Sequence, residues 1–221
     1  DVLGSRGLGD VYKRQDYKVV VLAVDEEFVS RSLQKQLTDS NNELTLDDAV
    51  KIVGCMNGLA KKTHFPGEEN YFSNDPQPMR RAVAFTQTIE QSKKFVAMFE
   101  EIQALYKINT NDGRNHTVEL KHVDGSFNAL ERKNRIEWLK QDTGEDSCRV
   151  LSNARCLSEG VDVPALDAVM FLNPRKSIVD IIQSVGRVMR KSEGKQYGYI
   201  ILPIGIPACL LYTSDAADEE D

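Results

Sequence analysis

The chain lacks a C-x-x-C pair, an apolar run near the roughly 18 residues a membrane span needs, and a basic-apolar opening of leader type. These absences exclude a membrane-spanning helix and predict a soluble, cytoplasmic location with no membrane partner. Cys55, Cys148, Cys156 and Cys209 stand apart from one another and from His64, His116 and His122, so no metal site or disulfide framework is expected. Buried thiols are the plainer reading, and His64 and His116, in polar stretches, are expected to be solvated. A phosphate-binding G-x-x-x-x-G-K-[ST] loop is also missing: Gly194-Lys195 is followed by Gln196. What is present is 221 residues, 41% hydrophobic and 28% charged, with net charge −6. That mixture is too polar for a fibre, too apolar for disorder, and long enough for a sizeable core.

The two ends do not read as protein. Residues 10–15 (DVYKRQ) back-translate to GAT GTG TAT AAG AGA CAG, and residues 209–214 (CLLYTS) to TGT CTC TTA TAC ACA TCT, the reverse complement shifted by one nucleotide. Together they resemble the transposon end used to join adaptors to sequencing libraries. Residues 1–15 and 209–221 are therefore expected to be adaptor-derived scars. Residues 16–208 are then an internal piece of a longer protein, and that piece is close to charge-neutral.

Residues 18–23 (KVVVLA) form a continuous apolar, β-branched run, the pattern of a strand buried on both faces. Ala49, Val50, Val53, Met56, Leu59 and Ala60 recur at helical spacing behind a Thr45–Asp48 capping box. Residues 61–78 break into Pro, Gly, Asn and charge, a loop or connector. The expected organisation is a linking strand, helix and loop over 16–78, then one domain over 79–208. Within that domain strands are predicted at 82–85, 118–123, 149–151, 168–172 and 197–202. Helices are predicted at 89–105, 130–139 and 178–190. Short apolar strands alternating with three-turn helices predict an α/β fold with a mostly parallel open sheet and helices on both faces. Ligands of such sheets bind beyond the carboxyl ends of the strands.

Two segments carry candidate chemistry. In residues 177–191 (SIVDIIQSVGRVMRK), Ile178, Ile181, Ile182, Val185, Val188 and Met189 share one helical side, and Gln183, Gly186, Arg187 and Arg190 the other. A helical glycine costs roughly 1 kcal/mol relative to alanine, so Gly186 suggests a close approach to the backbone. A solvated amphipathic face is the plainer account of the periodicity, which arginines at i and i+3, a pair that suits oxyanions, shift only modestly towards phosphate recognition. In residues 149–164 (RVLSNARCLSEGVDVP), an apolar strand runs into Ser152, Asn153 and Ala154, whose small polar groups suit phosphate or sugar oxygens. An ordinary strand-to-helix loop fits the spacing as well.

The two segments in this order resemble motifs V and VI of superfamily 2 helicases and translocases. Residues 83–95 (VAFTQTIEQSKKF) resemble motif IV, and residues 122–140 (HVDGSFNALERKNRIEWLK) the stretch between IV and V. KIVGCMNGLAKK and QYGYIILPIGIP are similar to helicase-like proteins related to type ISP restriction-modification enzymes and phage-defence systems. The resemblance implies the second of two RecA-like domains, with ATP bound between them and Mg2+ held by the missing first domain. It implies an arginine finger at Arg190, a phosphate contact at Arg187, coupling through Gln183, and nucleotide contacts near Gly160, Asp162 and Gly186. Gln87, Thr88, Ser152, Asn153, Ala154 and, more weakly, Arg155 would hold one strand of double-stranded DNA. The implied partners are the first RecA-like domain in cis, with room for nuclease and methyltransferase domains in the same protein. An RNA or repair helicase, or a non-catalytic nucleic-acid-binding module of the same fold, are the alternatives. Residues 25–27 imitate the acidic end of a metal-binding strand and are read as a decoy, since no phosphate loop precedes them. His122 is expected to make a structural hydrogen bond at a strand end at least as readily as to act in catalysis.

Overall fold

In the computed structural model, the structure describes residues 16–33, 44–62, 72–106, 115–154, 166–173, 186 and 195–206. Six strands, β1 (Tyr17–Asp25), β2 (Arg81–Thr86), β3 (Thr117–Val123), β4 (Ser147–Ala154), β5 (Ala168–Phe171) and β6 (Gly198–Ile206), form one sheet. Their order is β1-β6-β5-β2-β4-β3, and every neighbouring pair is parallel. The described helices are α1 (Glu26–Ser32), α2 (Leu46–Leu59), α3 (Ile89–Leu105) and α4 (Ala129–Lys140).

Alternation along each strand divides the core. Val20, Leu22 and Val24 of β1, Ala82 and Ala84 of β2, and Tyr199 and Ile201 of β6 face a first layer that includes buried side chains of α2 and α3. Val83, Phe85, Leu151, Val169 and Ile200 face the second layer, where Leu139 of α4 joins them. The β2–α3–β3 crossover moves two strands one way with its helix on the first face. The β3–α4–β4 crossover moves back with its helix on the second, so both have the same hand, as parallel sheets require.

Helix α2 is the centre of the first layer. Thr45 caps it, its side chain accepting from Asp48 N at 3.2 Å, and it is buried almost continuously from Ala49 to Leu59. Gly54 makes the close seating of α2 possible: an added Cβ would lie 2.9 Å from Pro203 Cβ and 3.2 Å from Val24 Cγ2. Because β1 pairs with β6 over nine residues, from Tyr17↔Gly198 to Asp25↔Ile206, residues 17–25 and α2 share the sheet and core of the residues after 79.

Three expectations change. The run 18–23 is not buried on both faces: β1 is an edge strand, and Val19 and Val21 are 45% and 54% exposed on the second face. His116 is 3% exposed rather than solvated, and its burial pushes the imidazole pKa down. Residues 26–32, for which no element was expected, form α1, and Asp25 caps it by accepting from Glu27 N at 2.8 Å and Phe28 N at 3.2 Å. That cap gives the acidic run a structural task. Cys55 and Cys148 are free and buried, which raises both thiols. Among the described residues no helix is long and apolar enough to cross a membrane.

Candidate nucleic-acid edge

Because all six strands are parallel, their carboxyl ends share one edge of the sheet, where ligands of open α/β sheets bind. Register brings the candidate residues together there. Ala84 pairs with Ser152, Phe85 with Asn153 and Thr86 with Ala154, while His122 of β3 pairs with Ser152 on its other side. The β2 turn and the end of β4 are therefore immediate neighbours.

Gln87 and Thr88 are exposed at the turn from β2 into α3. Thr88 is the N-cap of α3: its Oγ1 accepts from Gln91 N at 3.1 Å, and Gln91 Oε1 accepts from Thr88 N at 3.3 Å and Gln87 N at 3.2 Å. Such a reciprocal box fixes the helix entry and is worth about 1 kcal/mol. Thr86, 1% exposed, holds its Oγ1 3.1 Å from the Thr88 carbonyl and 3.2 Å from that of Asn153, linking the turn to β4.

Ser152 and Asn153 are fully buried, backbone and side chain alike, and Ala154 is 6% exposed, so the exposed part of this edge is the Gln87-Thr88 turn. Asn153 Nδ2 donates to the Ala84 carbonyl at 3.2 Å, while its Oδ1 meets no donor among the described residues. Ser152 Oγ lies 2.7 Å from Ser92 Oγ of α3, which lies 2.6 Å from His122 Nδ1. The ring's Nε2 is 2.7 Å from Asp124 Oδ2, and Asp124 Oδ1 accepts from Ser126 N at 2.7 Å and Ser126 Oγ at 2.5 Å. The Ser126 bonds, opposed by burial and aided by His122, hold the Asp124 carboxyl down at about 2. Ser92 and Asp124 are members of this edge that motif matching alone does not single out. The H-x-D spacing of residues 122–124 is the one signal in the sequence that points to Asp124, and none points to Ser92.

Beside the turn, between α2 and α3, lies a cavity of about 140 Å³ lined by Asp47, Asp48, Lys51, Thr86, Lys94 and Asn173, among others. Its charges are paired, Lys94 Nζ to Asp48 Oδ2 at 2.9 Å and Lys51 Nζ to Asp47 Oδ2 at 2.5 Å. Burial works to raise the Asp48 carboxyl, but hydrogen bonds from Lys94 and Thr45 outweigh it and lower it. Among the described residues no group of three His, Cys, Asp or Glu side chains is placed to hold a metal ion.

Gly186 is helical and exposed, with no described atom within 4 Å of an added Cβ. Among the described residues nothing is packed against it that demands glycine there. Arg155, Gly160, Asp162, Gln183, Arg187 and Arg190 lie outside the described residues, as do His64, Cys156 and the two expected scars.

The all-parallel sheet, its layers and its carboxyl edge define a RecA-like α/β fold. The chain belongs to the family of the helicase conserved C-terminal domain, whose model matches residues 69–192. It is the C-terminal domain of a superfamily 2 helicase. It is 46% identical to an ATP-dependent Type ISP restriction-modification enzyme, LlaBIII, solved bound to DNA, with a TM-score of 0.78. That match covers 89% of this chain and 12% of the enzyme. The Saccharomyces cerevisiae protein IRC3, named as an ATP-dependent helicase, is 31% identical over 120 residues, 52% of this chain and 16% of IRC3. The African swine fever virus protein A859L, named as a probable helicase, is 46% identical over 57 residues, 26% of this chain and 7% of that protein. The chain thus spans a small part of each of these proteins.

Proposed function

We propose that this chain is the second motor half of an ATP-dependent DNA translocase or helicase of a restriction-modification or phage-defence enzyme. The observation that carries the nucleic-acid side of this reading is the joined edge of β2 and β4. The exposed Gln87-Thr88 turn, at the N-terminus of α3, adjoins residues 152–154 at the end of β4. Helix N-termini and backbone N–H groups hold phosphates without a basic surface, which suits a chain with more acidic than basic residues. The 46% identity to an enzyme solved on DNA supports DNA over RNA.

The nucleotide side rests on the residues around 183–190. On this reading Arg190 is the finger, Arg187 contacts phosphate, Gln183 couples the nucleotide to the domain interface, and Gly160 and Asp162 lie near the ribose. Among the described residues none lies within 4 Å of an added Cβ at Gly186, which suits a group brought against it from outside the chain. A finger neutralises charge that develops during phosphoryl transfer, an effect of roughly 10³-fold or more. ATP would supply that phosphoryl group, with Mg2+ held by the first motor domain. The chain alone, without a phosphate loop, is expected to hydrolyse no ATP.

The same reading makes residues 1–15 and 209–221 adaptor-derived, with 16–208 a stretch of a longer protein that carries the first motor domain and has room for nuclease and methyltransferase domains. ATP hydrolysis by the full-length protein, measured with duplex DNA, single-stranded DNA and RNA, tests it. Stimulation by DNA and not by RNA is expected. Stimulation by RNA alone would replace the reading with an RNA helicase, and binding without hydrolysis would replace it with a non-catalytic module.

A further inference from the structure

We infer that the seam between the edge strand β3 and α4 is a further phosphate-contact surface, where Lys121 and Arg135 take the backbone of the DNA held at the Gln87-Thr88 turn. This rests on the nucleic-acid reading of the edge and deepens it. β3 ends the sheet, with β4 and then β2 beside it. Lys121 pairs with Leu151 and, by alternation, shares the second face with Val123, where Trp138 and Phe127 also pack.

Cations and rings alternate along this seam. Lys121 Nζ lies 4.6 Å from the centre of the Trp138 ring, the Arg149 guanidinium 5.2 Å from the same ring, and that of Arg135 5.6 Å from Phe127. Arg149 is already committed: it bonds Glu119 Oε2 at 3.0 Å, the Trp138 carbonyl at 2.8 Å and Gln141 Oε1 at 3.1 Å. Lys121 and Arg135, by contrast, donate no hydrogen bond and join no ion pair among the described residues. Burial, then the charges of Arg135 and Arg149, lower the Lys121 ammonium from its usual range, with Glu119 pulling the other way. Like charges gathered with unspent donors, in a chain of net charge −6, are unfavourable until an anion joins them. The rings here hold cations rather than stack bases, so the contact they prepare is to phosphate and independent of sequence.

The seam is continuous with the edge already described. Phe127 lies in the turn that leaves β3 at the carboxyl edge and meets His122 edge-on at 5.9 Å, so Arg135 stands beside that edge and Lys121 just behind it. β3 is two strand spacings from β2, about 10 Å, which is the rise of about three phosphates along one strand of duplex. DNA gripped at the Gln87-Thr88 turn therefore passes β3 and α4 within a few nucleotides.

The test is the affinity of the full-length protein for a short fluorescent DNA duplex across a potassium chloride titration. Wild type is compared with the double variant Lys121→Gln and Arg135→Gln, with the charge-keeping double variant Lys121→Arg and Arg135→Lys, and with Lys18→Gln. Lys18 also sits over a ring, Tyr197 at 4.5 Å, but on β1 at the opposite edge of the sheet. The glutamine pair is expected to lose roughly 10- to 100-fold in affinity at about 0.1 M salt, and its slope of log affinity against log salt to flatten by about 2, one per lost phosphate contact. The charge-keeping pair and Lys18→Gln are expected to stay within a few-fold of wild type with its slope. A wild-type slope in the glutamine pair would overturn the proposal. An equal loss in the charge-keeping pair would overturn it too, by making the effect one of packing on Phe127 and Trp138, as would an equal loss in Lys18→Gln. Absence of DNA binding by wild type would instead sink the nucleic-acid reading on which the proposal stands.

Discussion

Gly54→Ala asks whether α2 is built into the motor domain or merely leads up to it. The added methyl would lie 2.9 Å from Pro203 Cβ and 3.2 Å from Val24 Cγ2. The first is a ring atom on β6 and the second a branched carbon on β1, so neither is the far end of a flexible side chain. Overpacking of this kind costs about 1–3 kcal/mol. Alanine in a helix interior returns about 1 kcal/mol of propensity. The net expectation is a loss of about 0–2 kcal/mol, a fall in Tm of up to roughly 8 °C for a domain of this size. Urea denaturation of the chain, with Gly125→Ala as control, measures it. Gly125 has no described atom within 4 Å of an added Cβ, so that variant should stay within about 0.5 kcal/mol of wild type. A Gly54→Ala chain about 1 kcal/mol more stable than wild type would show propensity acting alone, and would refute the seating of α2 on β1 and β6.

Asp124 links stability to acid. Its carboxyl is held at about 2 in the folded chain against an ordinary 3.8, so the unfolded state takes up its proton first. A contribution on the order of 2 kcal/mol is present above about pH 4 and lost as pH falls towards 2, and Asp124→Asn should remove that part of the acid transition in a denaturation series. Lys195, whose Nζ donates to the Leu166 carbonyl at 2.6 Å, is lowered by burial to about 8. The unfolded chain then binds the extra proton between about pH 8 and 10.5, so stability rises with pH there, and Lys195→Met should flatten the rise. Thr88→Ala removes the cap of α3 and should lower stability by about 1 kcal/mol in urea titrations, while Thr88→Ser restores it.

How much the sequence reveals depends on whether a feature is local. Helix 89–105 is legible from spacing, because its apolar stripe and its Thr88–Gln91 cap lie within a few turns of chain. Helix α2 is legible for the same reason, but its place in the sheet is not. The pairing of β1 with β6 joins residues about 180 apart, and an apolar edge strand reads like a central one until its neighbours are known. His116 looked solvated because its sequence neighbours are polar, whereas its burial comes from the fold. In the candidate site, Gln87 and Thr88 stand exposed at the strand edge as motif spacing suggests. Ser152 and Asn153 reach that edge with their side chains turned into the core, a property of register rather than of composition. The Ser92 bonds to His122 and Ser152 span 30 and 60 residues, so no window of sequence contains them.

The central claim is that this domain completes an ATPase that runs on DNA, and Arg190→Ala in the full-length protein tests it most directly. Steady-state ATP hydrolysis with and without DNA is measured beside DNA binding. DNA-stimulated hydrolysis should fall by roughly 10³-fold while DNA affinity stays within a few-fold of wild type. Hydrolysis retained at the wild-type rate would contradict the account, because the second motor half would then contribute nothing to the chemistry.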